Sequence, residues 1–246
     1  MGNEYHTILL AGIECGISLR FPETDQFFGS YIQGTTNDGL NVISVKDYEF
    51  EDWKNLGNEV NPHGEYSLLS LQTSEALFEH QRFIFHAVAF RWNDRAWLLT
   101  GQPGVGKSTQ YKNLKELYPE EISIINGDRP VLQILDDGGI MVHPSPWNGK
   151  ENWCGAEAAP LAGIIFLKQG KENTIRTLTA QEAAVRTLSS VFHSYENEDV
   201  VKKAAKMATT LLKHTPLWLL TNKGNLESSA LLLDTLKDWE TQKNNV

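Results

Sequence analysis

The sequence predicts an α/β fold in which helices flank a mixed β-sheet, with a β-rich N-terminal part. Three observations predict it. Strand-like and helix-like segments alternate after residue 80, with hairpins among them. The stretch Gly101-Gln102-Pro103-Gly104-Val105-Gly106-Lys107-Ser108 stands between an apolar strand and an amphipathic helix. The first eighty residues instead carry short β-prone runs separated by Gly, Asn, Asp and Pro clusters. A chain of 246 residues, 41% of them hydrophobic, can bury one substantial core. It divides into a β-rich part over 1–80 packed on a core over 81–246, or forms one domain over 1–246.

In chain order, residues 7–11, 16–21 and 40–45 are the early β-prone runs. Residues 49–66 are polar, contain Gly57, Asn61, Pro62 and Gly64, and read as a long loop or lid. Residues 74–81 read as a short helix. Residues 84–90 and 96–100 read as strands joined by the turn Trp92-Asn93-Asp94-Arg95. Residues 107–118 read as a helix, because Tyr111, Leu114, Leu117 and Tyr118 share a face and Pro119 ends it. Residues 122–125 read as a buried strand, and 130–135 with 139–143 as a hairpin around Asp136-Asp137-Gly138-Gly139. Residues 163–167 and 173–178 repeat the strand–turn–strand pattern. Thr179-Ala180-Gln181-Glu182 is a capping box that starts a helix. A second helix spans 198–213, with Val201, Ala204, Ala208 and Leu211 inward, followed by a strand at 217–220 and a last helix at 226–239.

The formal net charge is −9, and no run of Lys and Arg marks a basic groove, so nucleic acid is not an expected partner. Cys15 and Cys154 are far apart and form no CxxC pair, which argues against a zinc site of ordinary spacing. Met1-Gly2-Asn3-Glu4 lacks the basic start of a signal peptide, and Tyr5 and His6 fit a myristoylation motif poorly. The apolar residues 8–12 are too few for a membrane span, which takes ~20. The expectation is a cytoplasmic protein with reduced thiols and no membrane partner.

The glycine-rich stretch matches GxxxxGK[ST] at every fixed position. Glycines let the backbone turn tightly and aim its N–H groups at phosphate oxygens, and the helix that follows adds the positive end of its dipole. Gly101, Gly104, Val105, Gly106, Lys107, Ser108 and Thr109 are therefore the candidate nucleotide-binding residues. Lys107 would neutralise the β- and γ-phosphates and Ser108 would hold Mg²⁺. A carboxylate is needed nearby to complete the metal site, and the strand at 122–125 leads to Asp128 through Asn126-Gly127. The same Asn-Gly-Asp is also a turn former. His86, between Phe85 and Ala87, reads by itself as a packed strand residue.

Together these residues resemble the catalytic domain of HPr serine kinase/phosphorylases, which share a fold with phosphoenolpyruvate carboxykinases. In that family a His precedes the first loop glycine by fifteen residues, the separation of His86 from Gly101. The family then places an acidic pair after the loop helix; here Gly127 stands in the first place and Asp128 in the second. The resemblance covers the C-terminal two thirds. It is closer to short, divergent HPr-kinase-like proteins, some of which modify peptides, and the segment from His143 to Glu151 is similar to a piece of those relatives. The family's separate N-terminal domain, the signature after its acidic pair and its phosphorylase-associated motif do not carry over.

The resemblance implies an ATP-dependent phosphotransferase with Mg²⁺ as cofactor, acting on a serine-type hydroxyl of a peptide, a protein or a small molecule. It implies an aspartate base; with Gly127 in the first place, Asp128 serves metal and substrate, or His86 orients Asp128 or contacts the γ-phosphate. Asp128, His86 and Lys107 are thus the candidate catalytic residues, and Ser108 and Asp128 the metal ligands. Lys150 and Arg129 are candidates for positive charge on the moving phosphoryl group, with a solvated Lys150 and a surface-paired Arg129 as the duller readings. Glu151 and Glu157 are further metal or substrate candidates. Trp147 and Trp153 invite a stacking role, although core packing explains them as well. A nucleotide-binding regulator without efficient transfer is the competing class, favoured by the missing acid. A carboxykinase-like enzyme is disfavoured by length. HPr kinases form hexamers, so a homo-oligomer stays open.

Overall fold

Two turns of left-handed backbone each pin a hairpin. Ala11 and Gly12, at φ 47° and 79°, join β1 (Tyr5–Leu10) to β2 (Ile13–Ile17). Asn93 and Asp94, at φ 49° and 55°, join β6 (Ala87–Trp92) to β7 (Arg95–Thr100), as the sequence predicts. The computed structural model describes residues 5–36 and 42–244. The readings of Met1 to Glu4, and of Leu40 and Asn41 at the start of the third β-prone run, lie outside the described residues.

β1 and β2 belong to a four-stranded sheet of order β3-β1-β2-β4, completed by β3 (Ile32–Thr36) and β4 (Val42–Ile43). The segment expected to be an irregular lid is instead helical. It contributes α1 (Asp47–Asn55) and the first turn of α2 (Pro62–Leu77). Asn61, read as a turn residue, is the N-cap of α2: its side chain accepts from the Gly64 N–H at 2.8 Å, and Pro62 occupies the first helical position. The short helix expected at 74–81 is the C-terminal turn of α2 followed by a 3-10 turn at Phe78–His80.

The strand expected over 84–90 is two strands. β5 (Arg82–Ile84) pairs with β9 (Val131–Ile134), whereas β6 pairs with β7 and β8 (Ser123–Asn126). Phe85 and His86 carry the chain from one pairing to the other; the His86 N–H donates to the Ser190 carbonyl at 2.8 Å. α3 (Lys107–Leu117) follows β7, and β9 and β10 (Ile140–His143) form the expected hairpin. β11 (Ala159–Gln169) runs parallel to β7. It does not pair with β12 (Thr174–Thr177). β13 (Leu217–Asn222) inserts between them, parallel to β11 and antiparallel to β12. The intervening chain forms α4 (Ala180–Leu188), with both capping-box bonds between Thr179 and Glu182, and α5 (Glu198–His214); α6 (Leu226–Asn244) closes the fold.

The large sheet has the order β5-β9-β10-β11-β7-β6-β8, with β13 beside the C-terminal half of β11 and β12 beyond it. Helices flank it. Ala204, Ala208 and Leu211 of α5 belong to one core with Phe83, Leu98 and Phe166. Tyr111 and Leu114 of α3 and Leu232 and Leu236 of α6 belong to another with Trp97 and Leu99. A third core gathers Ile8 and Leu10 of the small sheet with Leu69, Leu77, Ile84 and Val131. Among the described residues no helix is long and apolar enough to cross a membrane, and both cysteines are free thiols.

Candidate functional site

β7 ends at Thr100, and the chain reaches α3 through a loop that only glycine can build at three points. Gly101, Gly104 and Gly106 have φ of 146°, 76° and 104°. A Cβ on Gly101 would also come within 3.0 Å of the Leu167 carbonyl oxygen. The Val105 N–H donates to the Gln102 carbonyl at 3.1 Å, and Gln169 Nε2 donates to the Gly104 carbonyl at 3.2 Å. Gly106 is the N-cap of α3 and brings no side chain to it, so no cap covers the N–H groups of the first turn. In α2, α4 and α5, by contrast, Asn61, Thr179 and Asn197 cap that end. Lys107 Nζ donates to the Gly101 carbonyl at 3.3 Å. Burial holds its pKa below the ordinary lysine value, and the Asp128 charge works against that shift. A cleft of about 540 Å³ opens over the loop, lined by Gly104, Gly106, Lys107, Ser108 and Thr109 and, opposite, by His86, Asp128 and Lys150.

Asp128 owes its place to Asn126, the last residue of β8. Asn126 Oδ1 accepts from the N–H of Asp128 at 3.0 Å and of Arg129 at 2.8 Å, while Nδ2 donates to the Ser145 carbonyl at 2.9 Å. The turn-forming property of Asn-Gly-Asp is thus what aims the carboxylate. Gly127 cannot be anything larger: a Cβ there would lie 2.3 Å from the Asn148 carbonyl oxygen. Asp128 Oδ1 lies 3.3 Å from His86 Nε2, and Oδ2 lies 3.3 Å from Arg129 Nε. Burial pushes the Asp128 pKa up, but the His86 hydrogen bond and the charges of Arg129, His86 and Lys107 prevail and hold it below the usual carboxylate value. The carboxylate is therefore ionised at neutral pH, with about a quarter of its side chain (27%) still exposed.

No protein-family model matches the chain, and no curated protein matches it. Among solved structures it is similar to the HPr(Ser) kinase/phosphatase from Coxiella burnetii, at 11% identity and a TM-score of 0.41, over 66% of this chain and 93% of that one.

Of the residues predicted from sequence, His86, Gly104, Gly106, Lys107, Ser108, Thr109, Asp128 and Lys150 line one cleft. Gly101 and Val105 support the loop from behind, Val105 packing into the core beneath α3. Arg129 is half-buried, pairs with Asp128 and does not line the cleft. Its Nη1 donates to Ser70 Oγ at 2.8 Å and its guanidinium lies 4.7 Å from the centre of the Phe192 ring, behind Asp128. Glu151 lines the cleft and is 4.0 Å from Lys112, whereas Glu157 is paired with Arg91 at 2.9 Å, away from it. Trp147 is a core residue, with its Nε1–H donating to the Tyr66 carbonyl at 2.7 Å, and Trp153 packs on Tyr111 with ring centres 4.9 Å apart. Asn126, Ser70 and Phe192 act on the site without the sequence marking them as site residues; the last two come from distant elements and leave no local signal. Among the described residues no three His, Cys, Asp or Glu side chains are grouped to hold a metal. One carboxylate and one hydroxyl on a shared cleft is a donor set suited to Mg²⁺, which takes one or two protein oxygens and fills its shell with phosphate and water.

Proposed function

We propose that the chain is an ATP-dependent kinase of the HPr-kinase-like type, acting on a serine-type hydroxyl of a peptide, a protein or a small molecule. One observation carries this reading: the open N-terminus of α3, with Lys107, faces an ionised Asp128 across a single cleft. The loop amides and Lys107 bind polyphosphate, and Ser108 and Asp128 hold the magnesium ion. Bound Mg²⁺·ATP supplies the phosphoryl group: the acceptor oxygen bonds to phosphorus, the bond to the bridging oxygen breaks, and ADP leaves with that electron pair. Asp128 takes the hydroxyl proton, and His86 and Arg129 fix its two oxygens so that one faces the acceptor. Lys150, exposed and lining the same cleft, would supply positive charge to the phosphates.

The closed position at Gly127 favours a second reading, a nucleotide-binding regulator in which a single carboxylate cannot serve both metal and acceptor. Transfer of labelled γ-phosphate separates the two. The kinase transfers label to a hydroxyl acceptor, Asp128→Asn abolishes transfer while sparing nucleotide binding, and Lys107→Ala loses nucleotide binding. Undiminished turnover in Asp128→Asn would remove Asp128 from its role, and binding without any transfer would leave the regulator.

A further inference from the structure

A second cavity, also about 540 Å³, opens at the same edge of the sheet but on the other side of the glycine loop. Its walls are Gly101 to Pro103 of the loop, Phe166 and Leu167 at the end of β11, and α4. His86 and Pro103 line both cavities. Since His86 holds Asp128 at 3.3 Å, the partition between the cavities runs past the group that is to receive the proton. A phosphoryl donor seated over α3 and a hydroxyl entering from the α4 side meet there.

The second cavity has an unbalanced charge. Glu182 lines it but is bound to Arg176 at 2.6 and 2.9 Å and closes the cap of α4 through Thr179. Arg186 lines it one turn further along, and among the described residues its guanidinium enters no ion pair or hydrogen bond. The Ser190 hydroxyl is occupied by the Arg186 carbonyl at 3.0 Å and by Thr100 Oγ1 at 3.1 Å. A half-buried guanidinium without a partner has five unused donors in a planar fork, which matches a carboxylate or a phosphate. A neutral nucleobase would leave that charge uncompensated.

We infer that this cavity takes the acceptor and that Arg186 selects acceptors carrying an anionic group, a carboxylate or a phosphate, beside the hydroxyl. This substrate class rests on the kinase reading above.

The test is calorimetric titration of the full chain, first with Mg²⁺ and a non-hydrolysable ATP analogue, then, at saturation, with N-acetylserine, N-acetylserinamide, glycerol 3-phosphate and glycerol. At least one anionic probe binds about tenfold or more tighter than its neutral counterpart, and which one does so tells carboxylate from phosphate. Arg186→Gln removes the preference, Arg186→Lys keeps part of it, and neither changes affinity for the analogue. Equal affinity of anionic and neutral probes, or no binding of either anionic probe, overturns the assignment. So does weaker analogue binding in Arg186→Gln, which gives the cavity to the nucleobase. Failure of the analogue to bind the unaltered chain appears in the first titration and brings down the kinase reading itself. Should Arg186→Gln not fold, the Lys variant carries the comparison.

Discussion

Glu65 and Asp128 are both carboxylates drawn out of bulk water, and they are satisfied in different ways. Glu65, in the first turn of α2, is 1% exposed. Its oxygens accept from the N–H of Arg20 at 2.6 Å, from the N–H of Phe21 at 3.1 Å and from Thr24 Oγ1 at 2.7 Å. All three donors lie on one short stretch of chain, so the carboxylate fastens that stretch to α2. Asp128 has side chains as partners, His86 and Arg129, and keeps a face on the cleft. A carboxylate enclosed by two backbone N–H groups and a buried hydroxyl has no coordination left for a substrate; one held by side chains at two edges does.

The largest expected effect follows from that difference. On the kinase reading, Asp128→Asn lowers the rate of transfer by on the order of 10²–10⁴, since the substitution retains shape but removes the proton acceptor and the anionic ligand together, and its cost in stability is confined to the lost pairing with His86 and Arg129. Glu65→Gln does the reverse: it costs about 1–3 kcal/mol of stability by presenting an amide N–H₂ to donors, and leaves turnover per folded molecule unchanged. Urea unfolding and kcat measured on both variants make the comparison, and a Glu65→Gln protein that is stable but inactive would break it.

Gly127 comes next. With the Asn148 carbonyl 2.3 Å from where a Cβ would sit, Gly127→Ala displaces the loop at 146–149 and costs about 1–3 kcal/mol. Gly127→Asp, which would rebuild an acidic pair, therefore lowers activity rather than raising it. Enhanced transfer in that variant would show that the loop yields and that one carboxylate limits the rate.

How much of this the sequence reveals depends on whether the cause is local. The glycine loop is legible because φ above zero at residues 101, 104 and 106 is a demand on residue type at the residue itself. The hairpin at Asn93 and Asp94 and the cap at Thr179 are legible for the same reason. α2 is not, because its inward face is Gly64, Glu65, Leu69, Ser70, Thr73, Ser74 and Leu77. Two apolar residues in seven give no helical period, and Asn61-Pro62 looks equally like a turn. The break at Phe85 and His86 depends on which strands later pair on either side, and the separation of β11 from β12 on where β13 inserts. Within the site, Asp128 is legible from the strand that leads to it, whereas the clamp behind it, Ser70 on α2 and Phe192 after α4, is assembled only by the fold.

His143 sharpens the comparison by showing burial unopposed. At Asp128 the neighbouring cations outweigh burial. At His143 burial and the Arg82 charge act together and push the pKa down to about 4, with Nε2 2.9 Å from Gln133 Oε1. The native ring stays neutral while the unfolded ring takes a proton near pH 6.5. Its contribution to stability is therefore full above about pH 6.5, declines as the pH falls toward about 4, and stops declining once the native ring is protonated as well. The loss amounts to about 1–2 kcal/mol, allowing for partial exposure. Asp128 contributes little to this window, because a depressed carboxylate loses its part as the pH falls from its unfolded value, near 3.8, toward its lower native value. Thermal unfolding from pH 7 to pH 4 then falls less steeply in His143→Gln than in the unaltered chain, and parallel curves would locate the acid sensitivity elsewhere.

The smallest effect concerns Phe192, which touches both partners of Asp128. Its ring stands at 90° to the His86 ring with centres 6.1 Å apart, and the Arg129 guanidinium lies 4.7 Å from its centre. The Phe192 N–H donates to the Ile84 carbonyl at 3.0 Å, which ties the ring to the end of β5, two residues before His86. A cation over an aromatic face at such a site is worth about 1 kcal/mol, which as a barrier is about fivefold in rate. Phe192→Leu keeps an apolar filler but gives up the ring face, so both partners of the carboxylate gain freedom together. The expected result is a several-fold fall in kcat with KM for nucleotide unchanged, recovered in Phe192→Tyr, where the face is restored. A role in packing alone predicts instead that Leu and Tyr are tolerated according to volume, with melting temperature rather than kcat following the substitution. If Phe192→Leu and Phe192→Tyr lose kcat equally, the ring does not orient the pair, and the side chains that distinguish Asp128 from Glu65 are fixed by Ser70 and the backbone of β6.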